Sequence, residues 1–145
     1  MSNHEIIWQD SFDIDIVEVD TQHKKLLELI NVANTDDTIF QDEDRIMELV
    51  RNLRDYTHYH FETEELLMEK YGYSQTTTHR ELHMTISRKL ESIADDFKDD
   101  IPNLFRNMIQ LLNEWFVDHI MYEDKQFGVE LASKIREETQ PIETN

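Results

Sequence analysis

The chain has 145 residues, a formal net charge of −18 and no cysteine. With 39% apolar residues it has the size and composition of one folded domain with one core, not of a disordered acidic chain. The acid excess repels nucleic acid and anionic membrane, the absence of cysteine excludes disulfides and thiolate metal sites, and only two glycines and two prolines argue against a turn-rich all-β fold.

The N-terminus, MSNHEIIWQDSF, lacks the basic start and apolar run of a signal peptide. No stretch approaches a membrane span, so a cytoplasmic, soluble protein is the expectation. Residues 1–18 include Trp8, Phe12, Ile14 and Ile16. The alternation in FDIDIVEV is strand-like, but a lone strand has no partner, so this segment is expected to pack across helices as an extended arm.

Periodic segments follow. The first, about 19–34, aligns His23, Leu26, Leu27, Ile30 and Ala33 on one face. The second, about 41–71, aligns Ile46, Leu49, Leu53, Tyr56, His60, Glu64 and Leu67 at spacings of three and four, and Gly72 ends it. The third, about 76–97, carries His79, His83, Ile86, Leu90, Ile93 and Phe97, with Ser74 or Thr76 as its expected cap. The fourth opens at Pro102, which suits a first turn, and carries Phe105, Met108, Leu112, Trp115, His119 and Tyr122. A shorter helix at about 125–137 and a frayed tail, TQPIETN, complete the chain. Met47, Met68, Met84 and Met108 read as core filler. Short connections favour antiparallel neighbours. The expected architecture is an all-α, up-down-up-down four-helix bundle: arm 1–18, bundle 19–124, short helix and tail 125–145, in a single domain 1–145.

The polar residues on the apolar faces fall at matching ends of these helices. His23 is near the start of the first helix, His60 and Glu64 near the end of the second, His79 and His83 near the start of the third, and His119 with the following acids at the end of the fourth. An up-down-up-down bundle gathers all of them into one layer. Residues four apart share a helix face with Cβ atoms ~5–6 Å apart, which fits His60/Glu64 and His79/His83. His58, about 200° around the helix from His60 at roughly 100° per residue, faces outward. His4 is also left out, and Glu62, Glu65, Glu69 and Glu81 read as solvated faces. One histidine on an apolar face is ordinarily a hydrogen-bonded core residue. Five histidines and two carboxylates in one buried layer are costly unless paired or metal-bound, and metal is the stronger reading than a hydrogen-bonded network alone. A ligand set of nitrogen and oxygen without sulfur suits Fe, Zn, Cu, Ni or Mn and disfavours Ca and Mg. Seven ligands exceed the needs of one ion and suit two ions ~3.5–4 Å apart.

At these residues the chain resembles the hemerythrins, in particular the bacterial single-domain ones. The likeness runs through the Trp8 arm, VDTQHKKL around His23, HFETEE at 60–65, HRELH at 79–83 and WFVDHIMYED at 115–124. The family's ligand order is His, then H-x-x-x-E, then H-x-x-x-H, then H-x-x-x-x-D, and every position is filled. The resemblance implies two iron ions with a bridging oxo or hydroxo group. His79, His83 and His119 would hold one iron, His23 and His60 the other with a position left open, and Glu64 and Asp124 would bridge. It implies reversible dioxygen binding for storage, delivery or scavenging, with Leu26, Trp115 and Ile120 walling the oxygen pocket, and no catalytic residue set. The periodicity of a straight helix instead selects Glu123, four residues after His119. Asp124, five after, is off by about 140° at roughly 100° per residue. A π-type turn would reconcile the two, and such turns favour functional sites.

Other functions stay in view. A di-iron oxidase, a peroxidase or a nitric-oxide-handling enzyme is one alternative. Ferritin-like di-iron enzymes use two Glu-x-x-His motifs, which are missing here, and histidines outnumber carboxylates five to two in the candidate set. An oxygen or redox sensor would act through a partner. A zinc or copper protein is the remaining chemical alternative. The single-signed charge favours a monomer.

Overall fold

A computed structural model describes residues 5–139. Five α-helices carry the fold: α1 (Val17–Thr35), α2 (Glu43–Tyr71), α3 (Thr76–Asp96), α4 (Ile101–Asp118) and α5 (Lys125–Thr139). The first four form the up-down-up-down bundle that periodicity and short connections predict. No strand forms among the described residues. None of the helices is long and apolar enough to cross a membrane. Residues of the tail beyond Thr139, and His4, lie outside the described part.

Local chemistry sets the helix limits. Asp42 caps α2 by accepting the backbone N–H groups of Asp44 and Arg45 at 3.0 and 3.3 Å. Gly72 stops α2 in the left-handed conformation at φ 70°, a region costly for residues with a Cβ. Asp100 caps α4 through the N–H of Asn103, and Pro102 sits in the first turn. The expected cap of α3 is not formed. The Ser74 N–H and hydroxyl go to Glu130 of α5, and the Thr76 hydroxyl donates to the Tyr73 carbonyl. The side chain of Ser74 therefore fastens the turn between α2 and α3 to α5 rather than starting a helix.

The arm forms no strand among the described residues: a 3-10 turn at Asp10–Phe12 and Asp15 at φ 64° break its extended course. Phe12, Ile14 and Ile16 are buried and their neighbours Asp13 and Asp15 exposed, so the alternation marked burial correctly. It ends earlier than expected, because Val17, 82% exposed, already begins α1. The buried carboxylate of Asp20 holds the junction by accepting the Ile14 N–H at 2.9 Å.

The helix expected as a separate fifth element is continuous with the fourth. Residues His119–Asp124 form one π-helical turn that carries α4 directly into α5. The wider turn swings Tyr122 outward to 67% exposure, where simple periodicity put it in the core. Met84 likewise lies on the surface, while Met68 and Met108 fill the core as expected.

Two apolar clusters result. One joins α1, α2 and α4 through residues such as Leu26, Ile30, Leu53, Leu112, Phe116 and Ile120. The other packs Ile14, Ile16 and Val19 against Met68, Tyr73, Phe127 and Leu131. The candidate polar residues fall between them along each helix: His23 between Val19 and Leu26, Glu64 between Leu53 and Met68, Asp124 between Ile120 and Phe127. A polar layer is thus sealed by apolar packing on both sides.

Candidate metal centre

The five histidines and two carboxylates picked out in the sequence all converge in this layer, each at most 2% exposed. Their ligand atoms form two groups, within each of which the atoms lie inside 4.8 Å of one another. Glu64, His79, His83 and His119 make one group. His23, His60, Glu64 and Asp124 make the other. His58 points outward, as its angular position required.

The two carboxylates stand between the groups. Asp124 turns Oδ1 toward His119 and His79, at 3.0 and 3.1 Å from their Nε2 atoms. Its other oxygen, Oδ2, faces His23 Nε2 at 2.7 Å and His60 Nε2 at 4.0 Å. Glu64 places Oε2 3.0 Å from His79 Nε2 and 3.8 Å from His83 Nε2. Its Oε1 contacts His60 Nε2 and lies 3.6 Å from His23 Nε2 and 3.7 Å from His119 Nε2. Asp124 therefore offers one oxygen to each group of histidines, and Glu64 sets Oε2 against His79 and His83 with Oε1 nearest His60, the placement a bridging ligand needs.

The π turn is what brings Asp124 here. One extra residue in the turn rotates it onto the inner face with His119. Glu123 keeps the four-residue relation that a straight helix gives, but its Oε2 lies behind the ring, 3.4 Å from His119 Nδ1.

Donor chemistry tests whether a cation fits. The Thr63 hydroxyl donates to the Tyr59 carbonyl at 3.1 Å and so accepts from the Gln22 amide at 3.0 Å. The Gln22 carbonyl is thereby turned toward His60 Nδ1, at 2.9 Å. This fixes the proton of neutral His60 on Nδ1 and leaves the lone pair of Nε2 facing a carboxylate. On the other side, His83 Nε2 and His119 Nε2 face each other at 3.4 Å, with Glu65 and Glu123 behind their Nδ1 atoms. Among the described residues, His60 Nε2, His23 Nε2, Glu64 Oε1 and both Asp124 oxygens are buried with no hydrogen bond assigned to them. Lone pairs converging on lone pairs in an apolar enclosure call for positive charge between them. Without metal, protons fill that role. Burial disfavours charge on His23 and His79, but Asp124 and Glu64 outweigh it and lift both to about 9. Burial together with the charges of His119 and His79 pushes His83 down to about 3. Burial would raise Glu64, but the surrounding histidines hold it well below the usual carboxylate range.

The residues of this layer fit a pair of metal ions. A family model described as the hemerythrin HHE cation binding domain matches residues 15–131. The chain belongs to the hemerythrin family. Its similarity to bacterial members is distributed along most of its length. It is 27% identical over 128 residues to a bacteriohemerythrin of Clostridium acetobutylicum, covering 83% of this chain and 97% of that protein. Against a bacteriohemerythrin of Pseudomonas paraeruginosa it is 31% identical over 121 residues, covering 82% and 76%. A hemerythrin-like protein of Naegleria gruberi is 28% identical over 123 residues, covering 83% and 88%.

The hemerythrin-type layer also has aromatic walls, one of which the sequence reading missed. Trp115 stacks on His119 with ring centroids 4.9 Å apart and planes at 24°. Phe61 stacks on His83 at 3.9 Å and 11° and meets Trp115 edge-on at 5.5 Å. Leu26 and Ile120 are almost fully buried in the main core. Gln22, behind His60, was likewise not singled out; Glu123, which straight-helix spacing selects as a ligand, stands behind His119 instead, and Glu65 is not on a plain solvated face. It contacts His83 Nδ1 at 3.1 Å and Arg80 at 3.3 Å. Helical periodicity reports which way Glu65 leaves its own helix, not what α3 brings to meet it.

Proposed function

We propose that this chain binds dioxygen reversibly at a non-haem di-iron site and serves oxygen storage, delivery or scavenging rather than turnover. The observation that carries this reading is the placement of Asp124 and Glu64 between the two sets of histidines, the two oxygens of each making their nearest contacts to different sets. In the proposed assignment His79, His83 and His119 hold one iron, His23 and His60 the other, and both carboxylates bridge. Two ferrous ions there supply the reversible two-electron chemistry that dioxygen uptake requires.

The protein's own part is to hold and to exclude. Three histidines on one side against two on the other leave the His23–His60 side short of a ligand, which favours it as the place for a small molecule. Leu26 and Ile120 keep the enclosure apolar, and Trp115 with Phe61 covers the rings of His119 and His83. A dry enclosure slows proton entry and loss of charged products, and so slows irreversible oxidation. Five neutral nitrogen donors against two carboxylates also stabilise high-valent iron less than a carboxylate-rich set does. That favours binding over oxidase or peroxidase chemistry.

The test is a visible absorption spectrum of protein reconstituted with ferrous iron under nitrogen, exposed to air and deoxygenated again. Charge-transfer bands that appear in air and disappear on deoxygenation support reversible binding. Bands that appear and never reverse point to an oxidase or a fast-oxidising sensor. No bands, with two other metals per chain, refute the di-iron reading.

A further inference from the structure

We propose that the side chains behind the histidines make the two metal positions electronically unequal. Glu65 and Glu123 enrich the three-histidine position, while neutral Gln22 leaves the two-histidine position poorer. The inference deepens the di-iron reading above and rests on it.

The supports differ in charge from one side to the other. On the three-histidine side, His83 Nδ1 lies 3.1 Å from a Glu65 oxygen, within hydrogen-bond reach, while Glu123 Oε2, 3.4 Å from His119 Nδ1, makes no hydrogen bond among the described residues and acts through its charge. On the two-histidine side, His60 Nδ1 meets the neutral carbonyl of Gln22 at 2.9 Å, and His23 Nδ1 has no hydrogen-bond partner among the described residues. A carboxylate behind an imidazole draws its Nδ1 proton and raises the donor strength of Nε2. An amide carbonyl does so weakly. Stronger donors favour the ferric form of the metal they hold. The three-histidine position is therefore the more easily oxidised, and the two-histidine position keeps its Lewis acidity for an incoming ligand.

The anionic supports are also the ones nearest solvent. The side chains of Glu65 and Glu123 are 29% and 30% exposed, whereas Gln22 is buried. Arg80 contacts Glu65 Oε1 at 3.3 Å and Glu69 at 3.0 Å, which orients the carboxylate without removing it from His83. Glu62, on the same helix three residues before Glu65, is exposed and lines the same surface cavity as Glu65 and His83, so it supplies a matched control for loss of a nearby charge.

The experiment compares wild type with Glu65→Gln, Glu123→Gln, Glu62→Gln and Gln22→Glu. Each is loaded with iron, counted by elemental analysis and titrated spectroelectrochemically against a mediator that exchanges one electron per iron. Circular dichroism checks the fold. Glu65→Gln and Glu123→Gln are each expected to shift the oxidised-to-reduced ratio about tenfold toward the reduced form, equivalent to ~59 mV for one electron. Glu62→Gln should move it far less, and Gln22→Glu should move it toward the oxidised form. A merely structural role would lower the iron count and leave the potential of the retained iron in place. Two irons per chain with Glu65→Gln and Glu123→Gln no different from Glu62→Gln overturns this inference alone. A wild type that does not hold two irons overturns the di-iron reading, and this inference with it.

Discussion

His119 and Asp124 are five residues apart, yet His119 Nε2 and Asp124 Oδ1 lie 3.0 Å from each other because the turn between them is π-helical. The same turn leaves Glu123 at the back of the His119 ring. Two adjacent acids thus take different places relative to one histidine, Asp124 before Nε2 and Glu123 behind Nδ1.

This separation gives opposite expectations for neighbouring variants. Asp124→Asn should lower the iron content below two per chain, because it weakens a ligand offered to both positions. Glu123→Gln should retain two irons with affinity about 10–100-fold weaker, the usual effect of removing a support behind a ligand. Elemental analysis and a competition titration with a chelator distinguish them. If Glu123→Gln loses the metals and Asp124→Asn keeps them, the straight-helix assignment was right and the π turn does not govern ligation.

Most of the fold and the ligand layer were legible because they rest on repetition. Spacings of three and four across α1 to α4 place His60 with Glu64 and His79 with His83, and the direction of each helix brings them to one end of the bundle. Asp124 was not legible from periodicity, since one extra residue in a turn shifts every later position by about 100°. For the same reason Tyr122 was placed inside and is outside. Gln22 gave no periodic signal, Glu65 read as solvated and Glu123 as a ligand, because the meaning of each lies in the ring it meets. For Gln22 and Glu65 that ring belongs to another helix. The Ser74–Glu130 contact is of the same kind: a residue suited to capping is used instead to fasten α5.

Gly128 tests how the arm closes this end of the bundle. A Cβ at Gly128 would lie near the Ile14 carbonyl carbon at 3.2 Å and nearer still to its oxygen and Cβ. Helix propensity favours alanine over glycine by up to about 1 kcal/mol. Here the contact is with backbone, which cannot move without shifting Ile14 and Ile16 out of their cluster. Gly128→Ala is therefore expected to destabilise by about 1–3 kcal/mol, the range for overpacking. Urea unfolding followed by circular dichroism measures it, and an equal or higher midpoint would show that the arm is free to give way.

The two histidines of HYHF, His58 and His60, should behave differently. His60→Ala removes a buried ligand and leaves the Gln22 carbonyl and Glu64 facing an empty space. Reversible oxygen bands should vanish while most helicity survives, because both apolar clusters remain. His58→Ala should leave spectrum and stability nearly unchanged, since His58 lies on the surface. Uptake that survives His60→Ala would refute the assignment of this residue as a ligand.

Metal removal should make stability strongly dependent on pH. In the metal-free protein His23 and His79 are raised from 6.5 to about 9, and His119 is raised well above 6.5, in each case because the carboxylates outweigh burial. Groups raised in the folded state stabilise fully below their unfolded pKa and lose that contribution as pH climbs through the folded value. Stability should therefore fall between about pH 6.5 and 9. Below pH 6.5 the opposite sign holds: His83, pushed down to about 3 by burial, and His60, also lowered, cost stability wherever the unfolded chain would bind their protons. Glu64 and Asp124, held low by the histidines, lose their contribution as acid protonates them. The metal-free protein should thus be most stable near pH 6.5. Loading iron should raise the melting temperature and flatten the decline toward pH 9, because the metals then occupy the lone pairs that protons otherwise share. Melting curves of the metal-free and loaded forms at pH 6.5, 8 and 9 provide the check. A metal-free protein equally stable at all three would mean that the carboxylates do not hold protons on these histidines.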